Sequence, residues 1–154
     1  MFSLVGKRAL VAGIANESSI AYGCARALKA QGAALAVTYL NDKARPYVEP
    51  LAEKLGAEIF VPCDVRAEGE LDAVFETIGE RWGSLDHVLH SIAFAPRDDL
   101  HGRVVDCTRD GFNMAMDVSC HSFIRMAKLA EPLMPNGGSL VTVSFYGADR
   151  VVEH

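Results

Sequence analysis

Long apolar runs are missing from this 154-residue sequence. Stretches such as Ala33 to Val37 or Val88 to Leu89 fall far short of the roughly 20 residues that cross a bilayer. No membrane partner is expected. A cleavable leader is not expected either, because Lys7 and Arg8 lead into a short apolar stretch that reads as a strand entering a glycine turn. Basic blocks are absent: 15 Lys and Arg against 20 Asp and Glu leave a net charge of −5. Nucleic acid and anionic surfaces are therefore poor partners. Cys24, Cys63, Cys107 and Cys120 stand 39, 44 and 13 residues apart, with no CxxC pair and no metal-finger spacing. Reduced thiols in a cytoplasmic protein, with no metal, are the expectation.

What is present is an even alternation of apolar and amphipathic stretches, with half the residues apolar and 23% charged. Those proportions exclude a disordered or low-complexity chain. Arg8 to Ala12, Ala34 to Tyr39, Glu58 to Pro62, Leu85 to Ile92 and Ser139 to Ser144 read as buried strands. Between them, Ser18 to Gln31 carries Ile20, Cys24, Ala27 and Leu28 on one helical face. Val48, Leu51, Ala52 and Leu55 define a second helix, and Leu71, Val74, Phe75, Ile78 and Trp82 a third. After an irregular stretch from Ala93 to Cys107, Thr108 caps a long helix reaching Leu133, with Phe112, Met116, Phe123, Ala127 and Ala130 inward. Strands apolar on both faces and separated by helices make an α/β fold, a doubly wound parallel sheet of Rossmann-like order. Residues 1–154 read as one such domain, with the fifth strand left on an uncovered apolar edge.

In such sheets ligands bind where strands end and helices begin. The first junction, Gly13-Ile14-Ala15-Asn16-Glu17-Ser18-Ser19-Ile20-Ala21, lacks the GxGxxG fingerprint. It offers one glycine for a sharp turn and two serines at a helix start, where free amides and the helix dipole favour a phosphate. An ordinary serine-capped turn reads the same residues equally well. Asp64 follows the third strand, placed either to accept a hydrogen bond from an adenine amine or to cap a helix near Ala67. The fourth strand ends in the small, apolar His90-Ser91-Ile92-Ala93-Phe94-Ala95, suited to a ribose or nicotinamide. Three compatible strand ends favour a dinucleotide over a mononucleotide.

Other candidates fail on geometry. Cys120 and His121 are helix neighbours and do not face each other. His87 and His90 point to opposite faces of a strand. Asp98 and Asp99 read as a solvated loop pair.

The segments Gly13-Ile14-Ala15 with Ser18-Ser19-Ile20-Ala21-Tyr22-Gly23, Thr38-Tyr39-Leu40-Asn41-Asp42, Cys63-Asp64-Val65, His90 to Pro96 and Ser144 to Arg150 together resemble a known family. It is the bacterial NADH-dependent enoyl-[acyl-carrier-protein] reductases, a divergent branch of the short-chain dehydrogenase/reductase superfamily. The resemblance runs over essentially the whole chain and implies the N-terminal portion of such an enzyme, truncated after the fifth strand. It implies cofactor contacts from Gly13, Ser19, Ile20, Asp64, Val65 and Ile92, with Leu40 near the adenosine ribose, where the family often has a polar residue. It implies substrate contact from Ala95. Phe145 stands where the family tends to place a tyrosine beside the substrate. Tyr146, on the other face, is either a further substrate contact or an aromatic packed at the strand end. Ser119 occupies the place of a structural asparagine in many relatives.

The resemblance further implies NADH as cofactor, favoured over NADPH because no arginine directly follows the second strand, although Lys43 and Arg45 are near. The partner it implies is an enoyl thioester on acyl carrier protein, and the assembly a homotetramer. In the family a tyrosine and a lysine seven residues later carry the catalysis. Both are expected beyond His154, so no catalytic residue falls within the chain. Two alternatives stay open: a nucleotide-binding fragment without catalysis, and another short-chain enzyme such as a 3-oxoacyl thioester reductase.

Overall fold

Five short strands come together as one parallel sheet in the computed structural model, which describes residues 3–151. They are β1 (Arg8–Ala12), β2 (Ala34–Tyr39), β3 (Ile59–Pro62), β4 (His87–His90) and β5 (Ser139–Thr142). The helices are α1 (Ile20–Ala30), α2 (Arg45–Leu55), α3 (Glu70–Trp82), α4 (Arg109–Met116) and α5 (Ser122–Ala130). Strand order is β3-β2-β1-β4-β5. The chain builds outward from β1 in one direction, then returns to its other side, so the order reverses between β1 and β4.

The period-two alternation of β1 divides the core into two layers. Ala9 and Val11, with Leu35 and Val37 of β2, pack on Ala21, Ala25, Val48, Leu51 and Leu55 of α1 and α2. Leu10, Ala12 and Ala36 face the other way, onto Leu71, Val74, Phe75 and Ile78 of α3 and Met126 and Ala130 of α5. Leu10, Leu35, Val11 and Val37 are fully buried, each worth about 1.5–3 kcal/mol relative to exposure. Strands covered on both faces need to be apolar throughout, which is why they read as continuous runs. Gly56 stops α2 in the left-handed region at φ +59°.

Several expectations need correction. In α1 the residues that face in are Ala21, Tyr22 and Ala25, while Ile20 and Ala27 are exposed, and β5 is mostly exposed rather than buried. The fourth strand ends at His90 and the fifth at Thr142, so the segments that follow them are loop rather than strand. The long helix from Thr108 is capped as expected, with the Gly111 amide donating to the Thr108 hydroxyl at 3.0 Å, but it is not continuous. A π-turn at Asp117–His121 separates α4 from α5. The extra residue shifts the helical phase, so Phe112 and Met116 face out, at 56% and 46% exposure, instead of inward. The residues that face in are Val118, Ser122, Met126 and Ala130, spaced at i, i+4.

Candidate dinucleotide site

At the end of β1 the backbone of Gly13 turns at φ +106°, and a Cβ there would sit 1.9 Å from the Ser91 carbonyl oxygen. Only glycine lets the two central strands close up at the reversal point. Above this contact lies a cleft of about 400 Å³, walled by the ends of β1 to β4. Gly13, Leu40, Asp64, Val65 and Ile92 line it, so five of the expected cofactor residues meet at one place. Ser19 and Ile20 do not line it; they form the start of α1 beside it. Ser19 is the N-cap, yet its hydroxyl donates to the Asn16 carbonyl at 2.7 Å and caps nothing. The hydrogen bonds of the first turn begin with the Tyr22 and Gly23 amides, both donating to the Ser19 carbonyl. The Ser18 and Ser19 amides already donate to the Asn16 side-chain and main-chain oxygens, at 2.9 and 3.1 Å, so at the helix start it is the exposed Ile20 whose amide stays open to an anion.

Asp64 does not cap a helix, because α3 starts at Glu70 after Gly69. Its carboxylate accepts instead from the Arg66 amide at 3.0 Å and from Arg66 Nε and Nη2 at 3.1 and 2.8 Å. The side-chain bonds to Arg66 hold its pKa below the usual carboxylate range, against the opposing effect of partial burial. The Asp64 amide donates to Glu70 at 2.6 Å. Cys63, also in the cleft wall, has its thiol pushed up to about 12, chiefly by burial and then by the negative charges of Glu70 and Asp64. It is a packing residue and not a nucleophile.

Beneath the β4 end, His90 is fully buried. Its Nε2 lies 2.7 Å from the Ser122 hydroxyl and its Nδ1 2.9 Å from that of Thr142. Ser122 donates its own proton to the Val118 carbonyl at 2.7 Å, so Nε2 carries the hydrogen and Thr142 donates to Nδ1. The ring is neutral, and burial lowers its pKa. His87 turns away to Ser139 at 2.7 Å, so the two histidines do not converge. Among the described residues no group of three or more metal-ligating side chains assembles.

A second cleft, of about 510 Å³, adjoins the first and shares Ala93 and Phe94 with it. Ala95, Leu100, Ala115, Met116, Ser119, Cys120 and Phe145 complete its lining. Ala95 and Phe145 thus stand together in one cleft. Tyr146 does not line it and is 72% exposed in a short turn. Ser119 bridges Phe94, accepting from its amide at 3.1 Å and donating to its carbonyl at 3.3 Å. Asp99 is not a solvated loop acid. It accepts from the Thr108 amide at 2.6 Å and so anchors the start of α4. Sequence reasoning missed Tyr47 and Arg66 in the first cleft, and neither carried a motif or periodic signal.

A parallel sheet of order 3-2-1-4-5, with a glycine turn and a cleft at the reversal point, defines a Rossmann-type fold. The family model described as Enoyl-(Acyl carrier protein) reductase matches residues 13–154. The chain belongs to that family. It is 45% identical to enoyl-[acyl-carrier-protein] reductase (NADH) 1 of Rhizobium meliloti over 97% of its length, covering 55% of that protein. It is 44% identical to the corresponding Aquifex aeolicus enzyme, covering 98% of this chain and 56% of the relative. The enoyl-(acyl-carrier-protein) reductase from Anaplasma phagocytophilum, solved with NAD, superimposes with a TM-score of 0.93 at 47% identity, covering 97% of this chain and 57% of that one. A Bacillus cereus enoyl-acyl carrier protein reductase, solved with NADP+ and an indole naphthyridinone, gives 0.93 at 43% identity, covering 99% of this chain and 60% of that one. The chain thus spans a little over half the length of the relatives it matches. Among the described residues no helix is long and apolar enough to cross a membrane.

Proposed function

We propose that this chain is the cofactor-binding part of an NADH-dependent enoyl-[acyl-carrier-protein] reductase of fatty-acid biosynthesis, working in the cytoplasm as a homotetramer. The observation that carries the reading is the cleft over the Gly13–Ser91 contact, where the strand order reverses. Its residues fit a dinucleotide. The open Ile20 amide at the α1 start meets the pyrophosphate charge, with Ser19 flanking it. Asp64 accepts from the adenine amine, while Val65, Leu40 and Ile92 supply apolar walls. When bound, the dihydronicotinamide supplies the hydride. The second cleft, mostly apolar, holds the enoyl chain against Ala95 and Phe145. The oxyanion-stabilising tyrosine and its lysine are assigned beyond His154, and Val152 to His154 themselves lie outside the described residues.

The choice of NADH over NADPH rests on the β2 end. Leu40 and Ala44 form that wall of the cleft, and neither Lys43 nor Arg45 lines it. Arg45 is committed elsewhere, donating to Glu49 at 2.7 Å with its guanidinium 5.8 Å from the centre of the Tyr39 ring. A 2′-phosphate at that wall would meet neither of these two cations.

A full-length chain should oxidise NADH with an enoyl thioester, followed by the loss of NADH absorbance. Turnover of a 3-oxoacyl thioester without the enoyl one would overturn the assignment. A second reading, a binding module without catalysis, is favoured for these 154 residues by the share of the relatives that they span. Under it the polypeptide binds NADH in titration but leaves the enoyl thioester unchanged, and rapid turnover would exclude it.

A further inference from the structure

We propose that Arg66 is a positioning residue that makes the base-binding end of the first cleft selective for a purine bearing an exocyclic amine. This rests on the dinucleotide reading above. Asp64 alone would be a rotatable carboxylate at the mouth of a mostly apolar cleft. Arg66 removes that freedom with three donors from a single residue: its amide and Nε on Oδ1, its Nη2 on Oδ2. A forked guanidinium fixes the carboxylate plane as well as its place. Oδ1 then accepts two hydrogen bonds and Oδ2 one, so Oδ2 keeps acceptor capacity for a further donor.

The same side chain spans the cleft. Its guanidinium carbon lies 5.8 Å from the centre of the Phe94 ring, tying the end of β3 to the segment after β4. Arg66 and Asp64 both line the cleft, and their charges cancel at 2.8 Å. A neutral end suits an uncharged base better than a phosphate. A fixed, ionised acceptor welcomes an amine and repels a carbonyl oxygen at the same position. Folding does not need the pair: with the Arg66 side chain 48% exposed, such an ion pair adds little stability.

The test is fluorescence titration of this chain with NADH and with its deaminated analogue, in which hypoxanthine replaces adenine. Wild type should prefer NADH by roughly tenfold or more, the value of a hydrogen bond to a charged acceptor. Arg66→Ala should cut that preference to about twofold by weakening NADH and leaving the analogue unchanged. Arg66→Lys, which keeps the charge without the fork, should fall between. Equal weakening of both ligands would reduce Arg66 to a structural residue and overturn the proposal. Tighter NADH binding by Arg66→Ala would overturn it too, by showing that the arginine blocks the carboxylate. If wild type binds both ligands equally, selectivity is absent and this inference falls with the Asp64–adenine contact, while the dinucleotide reading stands. If it binds neither, the dinucleotide reading falls with it.

Discussion

Adding one methyl group at position 13 brings a carbon within 1.9 Å of the Ser91 carbonyl oxygen, on a backbone already at φ +106°. Strain and overlap act together, since the β1 and β4 ends must separate to make room. Gly13→Ala should therefore cost about 3 kcal/mol or more of stability and abolish NADH binding, as urea unfolding and titration would record. Gly13 and Asp64 were legible in the sequence because each stands at the end of an apolar strand, where parallel sheets bind ligands, whereas Val65 and Ile92, two or three residues past the ends of β3 and β4, were singled out only through the family resemblance. Arg66 was not legible, because a charged residue in a loop looks solvated. Its place depends on a fork to the residue two before it and on a ring 28 positions away in the chain. Tyr146 stands apart from both clefts, since the strand that would have aimed it ends at Thr142.

Three elements meet on the buried His90 ring: β4 carries it, β5 brings Thr142, and the junction of π-turn and α5 brings Ser122. Ser122→Ala leaves Nε2 without an acceptor in a dry site and should cost about 1–3 kcal/mol, measurable by chemical denaturation. The ring also sets a pH dependence. Its folded pKa lies below the ordinary 6.5 because burial opposes the charge. The unfolded chain then binds the proton more readily, so the contribution is complete above pH 6.5 and is lost as pH falls through that value. Asp64 and Asp86, also lowered, lose their contributions only below the carboxylate range. Urea midpoints should decline between pH 7 and 5, and His90→Gln should flatten that decline; an unaltered slope would count against the assignment. At this scale the first four strands and the second and third helices were readable from apolar spacing, but the face drawn for α1 through Ile20 and Ala27 was not the one that Ala21, Tyr22 and Ala25 bury. The break in the fourth was not, because nothing in Asp117-Val118-Ser119-Cys120-His121 marks a π-turn. A helical wheel drawn straight through it misplaces Phe112 and Met116.

The two sides of the sheet are covered unequally. On the α1 side an apolar cleft of about 350 Å³ opens over β4 and β5, lined by Leu4, Leu28, Leu89 and Val141. Val141 is 52% exposed there, on a strand whose outer edge pairs with no other in the described sheet. Apolar faces and bare strand edges promote association. The 154-residue chain should therefore self-associate as its concentration rises, by sedimentation velocity. Val141→Lys should shift it towards the monomer, with the NADH affinity unchanged.

The placement of β1 also governs how the molecule assembles. Its partner across the centre is β4, and the Arg8 amide donates to an Asp86 carboxylate 78 residues away. The first strand made is thus half-paired until most of the chain has followed it, and this long closure slows folding. The wall formed by Ser91, Ile92 and Phe94 arrives with β4, after the walls given by β1, β2 and β3. A nucleotide that needs all four walls cannot guide the early steps. It can only hold the finished fold closed.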